Sequence, residues 1–404
     1  MDDEEVGVRP LRIAVLLKTN QGGLWIIPQV EELRRRGHEV MVILPPGAGR
    51  LTEELRRSGV EVHESPFDFR FRPAIATVRG LWRLRQLARR LRLDVLNYHL
   101  YASALAARFA TVGLPLRRVH MVAGPLYLES PLIRAAERLL WRLDSVTICG
   151  TGYTSRLYGA LGCPADRRPV KSYGARTPHF AALEGPAGRE ETRAKARAEL
   201  GIEEDAFVVI MVAYVYPPRK MVFQGRGIKG HDVLLTAWQA FHELHPRSRL
   251  LLVGAGFSPA GEAHRQELVR QFHLDRDDSV SWLTSVADVR DCYRAADVSV
   301  SPSLSEGHGA ACEASASGVP CIVSDAGGLP ETVDETTGWV VPRGDPTALG
   351  AALRGAYREF VDGELRARGE RAQRFAIRHF DNRTTAVGVA DIVEAACRTI
   401  AGRP

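Results

Sequence analysis

S-P-S-L-S-E-G-H-G-A-A-C-E-A-S-A-S-G-V-P-C-I-V-S-D-A-G-G-L-P-E, residues 301–331, decides how the rest of the chain is read. It opens with a Pro-Ser turn after an apolar run. Glu306 and Glu313 bracket a Gly-x-Gly turn (Gly307, Gly309) around His308. A run of small residues suited to a helix follows and ends at Gly318-Val319-Pro320, and a second apolar run leads into Gly327-Gly328. A strand, a glycine turn and a helix start present free backbone N–H groups and a helix dipole, which suit an anion. Two carboxylates beside such a turn suit a ligand carrying hydroxyls as well as phosphate. A fold alone accounts for the glycines and Pro320, but not for Glu306 among them.

Working outward, the same strand–turn–helix rhythm fills the chain. Residues 11–17 are continuously apolar, as a strand buried on both faces of a parallel sheet requires. A loop with Gly22-Gly23, a helix to about Arg36 and a strand over 40–44 complete a βαβ unit. Strands are expected at 60–62, 94–98, 119–123 and 145–149, then at 207–213, 249–253, 279–282, 298–301, 320–323 and 339–341, with helices between them. The 404 residues exceed one ordinary core. The reading is therefore two doubly wound domains, 1–176 and 192–380, joined by a Pro/Gly/Ala-rich linker at 177–191. A last helix at 381–404 is expected to pack back on the first domain.

Composition narrows the function. Hydrophobic residues make up 45% and charged residues 25%, an ordinary globular balance. Net charge is +6, and the basic residues are nearly all arginine, with lysine only at positions 18, 171, 195, 220 and 229. That skew is a genomic habit, and no arginine cluster alternates with stacking aromatics, so nucleic acid is not an expected partner. The six cysteines are scattered with no C-x-x-C pair, which reads as free thiols in a reducing compartment. The acidic start (Asp2, Asp3, Glu4, Glu5) is opposite to a signal peptide, and no apolar run reaches ~18 residues, so a cytoplasmic location is expected. Helix 79–92 carries six arginines and no acid over a stripe of Leu81, Leu84, Ala88 and Leu91. It reads as a solvated face or as an attraction to an anionic membrane or substrate, so weak peripheral membrane contact stays open.

A dinucleotide oxidoreductase would show G-x-G-x-x-G after its first strand and an acid closing its second. Here the first loop is K-T-N-Q-G-G and the second strand runs into Pro45-Pro46. Gly254-Ala255-Gly256 supplies only two of the three glycines.

The 301–331 stretch resembles glycosyltransferase family 4. P-S-x-x-E-G-x-G, E-A-x-A-x-G-x-P and G-G-L-P-E stand in the family's order, and Lys229-Gly230, Leu250 to Gly254 and Gly124-Pro125-Leu126-Tyr127-Leu128-Glu129 match too. The resemblance implies the α/β GT-B fold, two Rossmann-like domains facing a central cleft, with acceptor bound by the first and nucleotide sugar by the second. It implies retaining transfer from a nucleoside-diphosphate sugar, UDP- or GDP-type, with no required cofactor or metal. Carried over, Glu313 would hold the ribose hydroxyls, Glu306 with Gly307, His308 and Gly309 the donor sugar, and Lys229 the diphosphate. Gly22 and Gly23 would let backbone approach the diphosphate, and His99 would lie near the reacting sugar. A cation placed where leaving-group charge develops contributes a few kcal/mol, about 10²–10³ in rate.

Three positions depart from the family pattern. Six residues separate Glu306 from Glu313 where the family has seven, so spacing alone puts Ser305 in the first glutamate's place while flanking matches put Glu306 there. Ala213-Tyr214 replaces the family's Gly-Arg and an insertion, Y-P-P-R-K-M-V-F-Q-G, follows. Arg226 is the first choice to replace that arginine, with Arg219 and Lys220 second. The family's second histidine is Ala123 here, with His120 nearby on a strand. The acceptor is not readable from the sequence; a small molecule such as an antibiotic core, or a lipid-linked or polysaccharide group, would suit the chain. A sugar-nucleotide epimerase and a non-catalytic sugar-nucleotide binder remain as alternatives, and oligomeric state is open.

Overall fold

The computed structural model describes residues 9–181, 186–218, 223, 226–284, 286 and 288–398. The chain divides into two compact units, one formed by the residues up to Gly174 together with those from Asn382 onward, the other by Ala175–Asp381.

The first unit holds β1 (Arg12–Leu16), β2 (Glu39–Leu44), β3 (Glu61–Glu64), β4 (Val95–His99), β5 (Arg117–Val122) and β6 (Val146–Cys149). All pair in parallel in the order β3-β2-β1-β4-β5-β6. The second unit repeats the topology with β7 (Phe207–Val212), β8 (Ser248–Val253), β9 (Val280–Leu283), β10 (Val298–Ser301), β11 (Cys321–Ser324) and β12 (Gly338–Val341) in the order β12-β11-β10-β7-β8-β9. Each sheet is doubly wound and its strand order reverses once, between β1 and β4 and between β7 and β10. Ligands of such sheets bind at that reversal, outside the carboxyl ends of the strands.

Strand alternation explains why the apolar runs are continuous. Ile13, Val15 and Leu17 enter one core with Val30 and Leu33, while Ala14 and Leu16 enter another with Leu84 and Ala107. The second sheet is sandwiched in the same way, with Val209 and Met211 on one face and Val208 and Ile210 on the other. Both faces of each sheet pack into cores, and the exposed strand residues lie at the start of β2 or on the outlying strands β3, β9 and β12.

The stretch 177–191, expected as a linker, is instead helical at Thr177–Phe180 and again in Pro186–Glu199. Its Pro and Gly content misled because Pro178 and Pro186 stand in the first turns of helices, where the missing N–H costs nothing. Helix Asn382–Arg398 belongs to the first unit, where Val389, Ala390 and Val393 join the core beside β1. Glu394 anchors it by accepting from His38 Nε2 at 3.0 Å and pairing with Arg36 at 3.1 Å.

Candidate functional site

In the second unit the reversal between β7 and β10 gathers the singled-out residues. β10 ends at Ser301, and the following loop is tied to the Lys229 loop by Leu304 N–H donating to the Ile228 carbonyl at 2.8 Å. The loops fit because Gly230 (φ +72°) stands so close to Pro302 that a Cβ would meet its carbonyl oxygen at 2.1 Å. Gly327 (φ +60°) is equally confined, with the Glu306 carbonyl oxygen 2.0 Å from where its Cβ would be. Gly328 N–H donates to that same oxygen at 3.1 Å. The G-G of G-G-L-P-E thus fixes the backbone of Glu306.

So held, Glu306 Oε2 accepts from Lys229 Nζ, and its Oε1 accepts from Gly307 N–H at 3.0 Å. Burial alone would depress the Lys229 ammonium, but the charge of Glu306 and this hydrogen bond outweigh it and raise the pKa. Lys229 is a fixed cation. Glu306, not Ser305, meets it; Ser305 is buried and its hydroxyl finds no partner among the described residues.

Glu313 lies in helix Ala311–Ala316, partly buried. Burial pushes its carboxyl up to about 7, against an opposing pull from Arg176. His308 is turned inward, its ring 5.0 Å from that of Phe380, and burial pushes it down to about 4. Gly309 (φ +51°) leaves room for the Glu306 carboxyl, which a Cβ would meet at 3.1 Å. Arg226 Nε donates to Asp232 at 2.8 Å, so its charge is already matched. Arg219 and Lys220 lie outside the described residues.

In the first unit the corresponding reversal between β1 and β4 holds Gly22, Gly23 and His99. Gly23 (φ +95°) sits where a Cβ would meet the Leu17 side chain at 2.6 Å, while Gly22 is open. Trp25 follows them and donates its indole N–H to His99 Nδ1 at 3.2 Å. That bond assigns the ring's proton to Nε2, which is buried and has no partner among the described residues. Burial pushes His99 down to about 3, so it stays neutral and its Nε2–H is a donor rather than a base. Leu100, the next residue, holds φ +70°, a strained turn for a side chain of that size.

Among the described residues no cluster of His, Cys, Asp and Glu is placed to hold a metal ion. A carboxylate locked to a lysine, a second carboxyl in the helix that follows, and glycines that fix the backbone around Glu306 suit a ligand with phosphate and hydroxyls. Residues 28–174 match the family described as "Glycosyl transferase 4-like domain", and residues 218–359 match "Glycosyl transferases group 1". Together they take in more than half of the chain.

The chain belongs to the family 4 glycosyltransferases.

Its fold is GT-B: the structure of Anabaena HepE with UDP and glucose superposes with a TM-score of 0.76 at 18% identity, over 97% of this chain and all of that one. At that identity the likeness carries the fold alone. The D-inositol 3-phosphate glycosyltransferase of Saccharomonospora viridis is 37% identical over 201 residues, 47% of this chain and 44% of the relative. The enzyme of that name from Streptomyces scabiei is 32% identical over 277 residues, 66% of this chain and 56% of the relative. The chain spans about half the length of the curated relatives it matches.

Sequence reading of this family 4 chain missed an aromatic group beside Lys229. Val215 N–H donates to the Ala255 carbonyl at 3.0 Å and Phe257 N–H to the Val215 carbonyl at 2.9 Å, which zips the loop after β7 to the loop after β8. Tyr216 thereby stacks on Phe257 with centroids 4.7 Å apart, and Lys229 Nζ lies 5.9 Å from the Tyr216 ring. Gly254-Ala255-Gly256, a poor phosphate motif, is what permits the zipper: a Cβ at Gly254 would meet the Ala213 carbonyl oxygen at 2.2 Å, and one at Gly256 the Glu262 nitrogen at 2.0 Å. The signal available was Tyr214-Val215-Tyr216 against Phe257, two aromatic sites at neighbouring strand ends.

Proposed function

We propose that the chain moves a sugar from a nucleoside-diphosphate sugar to an acceptor hydroxyl with retention of anomeric configuration. The Lys229–Glu306 pair at the reversal of the second sheet carries the reading. A cation held by a carboxylate has somewhere to go when a diphosphate arrives: the ammonium turns to the phosphates and frees Glu306 for sugar hydroxyls. As the bond from sugar C1 to the leaving phosphate oxygen breaks, charge grows on that oxygen beside Lys229. The acceptor oxygen attacks the same face, and its proton passes to the departing phosphate. The neutral His99 donates Nε2–H to a substrate hydroxyl, and Glu313 accepts from the ribose diol.

The names of the relatives and the UDP and glucose held by HepE support UDP-sugars as the first donors to assay and D-inositol 3-phosphate as the first acceptor, ahead of antibiotic cores and polysaccharide or glycolipid acceptors. A thermal-shift series with UDP, GDP and their sugars identifies the nucleotide, because a ligand of the folded state raises stability by mass action. Transfer of labelled sugar is then measured for Lys229→Ala. We expect a rate loss of about 10²–10³ with the fold intact. Wild-type turnover in that variant overturns the reading.

A further inference from the structure

We propose that the outer face of helix Ile75–Arg90 docks on an anionic lipid surface. The helix needs only one face for its core: Gly80, Leu84 and Ala88 are buried, with Leu81, Leu87 and Leu91 packed at the margin. A plainly solvated helix would be polar on the opposite face. Instead Ile75, Val78 and Trp82 stand 78%, 69% and 58% exposed. At 100° per residue these three fall within about 60° of one another, one stripe on the side away from the core. Phe71 and Phe109, also exposed, lie 6.4 Å apart ring to ring on the segments beside it.

The charges around the stripe select the occupant. Arg79, Arg83, Arg89 and Arg90 are exposed and make no ion pair among the described residues, and no acid occurs between Ile75 and Arg92. Arg85 is different: it donates to the Ala110 and Val112 carbonyls and ties this helix to its neighbour. A protein partner would ordinarily bring donors and acceptors to meet a polar rim. A stripe holding Trp, Ile and Val, flanked on its helix by arginines and no acid, fits a bilayer interface, where the apolar groups enter the headgroup boundary and guanidinium groups meet lipid phosphates. Among the described residues no helix is long and apolar enough to cross a membrane, so contact of this kind would be peripheral.

The inference is independent of the sugar-transfer reading. The full chain is floated with vesicles of phosphatidylcholine alone and of an equal mixture with phosphatidylglycerol, at low and high salt. Two variants are compared, Val78→Asp with Trp82→Ser, and Arg79→Glu with Arg83→Glu; their thermal unfolding should match the wild type because all four side chains are exposed. We expect flotation with the anionic vesicles only, weakened by salt, and lowered about tenfold or more in each variant, with transfer to a soluble acceptor unchanged. Failure of the wild type to float, equal flotation with both vesicles, or full flotation of both variants overturns it. A dimer in solution that Val78→Asp with Trp82→Ser dissolves, without vesicle binding, assigns the stripe to a second copy instead.

Discussion

Replacing Glu313 by Gln tests the electrostatics of the site with no substrate present. The wild-type carboxyl moves from an ordinary 4.5 to about 7 on folding, because its position in helix Ala311–Ala316 strips it of water and Arg176 only partly compensates. A carboxyl with a raised folded value takes up a proton as the chain folds. Its contribution is therefore fully present below the unfolded value near 4.5 and is lost as pH rises through the folded value near 7. At 1.36 kcal/mol per pH unit the interval is worth about 3 kcal/mol, and residual solvent around a partly buried group lowers that to about 2–3 kcal/mol. Glutamine keeps the shape and cannot ionise. For a unit of this size the variant should then melt within a degree or so of wild type at pH 5 and roughly 5–10 °C above it at pH 8. Calorimetry on both proteins across that range reads the difference directly, and all other titrating groups cancel in it. A difference that stays flat with pH would refute the reasoning. One that falls as pH rises would mean that Arg176 dominates burial.

Three further perturbations follow from the geometry. Phe257→Ala removes the ring that supports Tyr216 beside Lys229; if a ligand ring stacks there, nucleotide-sugar affinity by calorimetric titration should fall about tenfold, as loss of one stacking aromatic costs ~1–3 kcal/mol, and unchanged affinity removes that group from the site. Gly327→Ala places a methyl 2.0 Å from the Glu306 carbonyl oxygen at φ +60°, so transfer should drop at least about tenfold and stability by more than about 1 kcal/mol; a variant as active as wild type would show that the Glu306 backbone is not fixed there. Arg108→Ala empties a fully buried network in which the guanidinium meets Glu137 at 2.7 Å and Asp144 at 2.6 Å. Two buried carboxylates are left unpaired, and chemical denaturation should show a loss of about 3–5 kcal/mol.

Much of the fold could be read in the chain because both sheets are parallel and covered on both sides. The central strands, β1, β2 and β7 among them, are then largely continuous apolar runs, and the glycines that punctuate the chain mark the turns. The 301–331 stretch named its own chemistry for a related reason: Gly327 stands where only glycine fits and Gly309 holds a left-handed φ beside the Glu306 carboxyl, so their spacing around Glu306 is a backbone requirement visible as composition. The same local logic failed at 177–191, because proline in the first turn of a helix and proline in a linker look alike without the hydrogen bonds around them.

What the sequence determined by itself was the doubly wound topology of each unit, the family, and the set of residues worth examining. Only the tertiary structure decided which of them meet. The β7–β10 reversal puts Lys229 against Glu306, which lies 77 positions away, and leaves Ser305 in the interior. The fold spends Arg226 on Asp232 and seats His308 against Phe380 in the second unit, and in the first it gives His99 its tautomer through Trp25. The fold also put Trp82 on the outside of a helix whose arginines read as a solvated face or as an attraction to an anionic surface. The reason is physical: a parallel sheet brings together strand ends far apart in the chain, and neither a side chain's partner nor its exposure is fixed by the residues next to it.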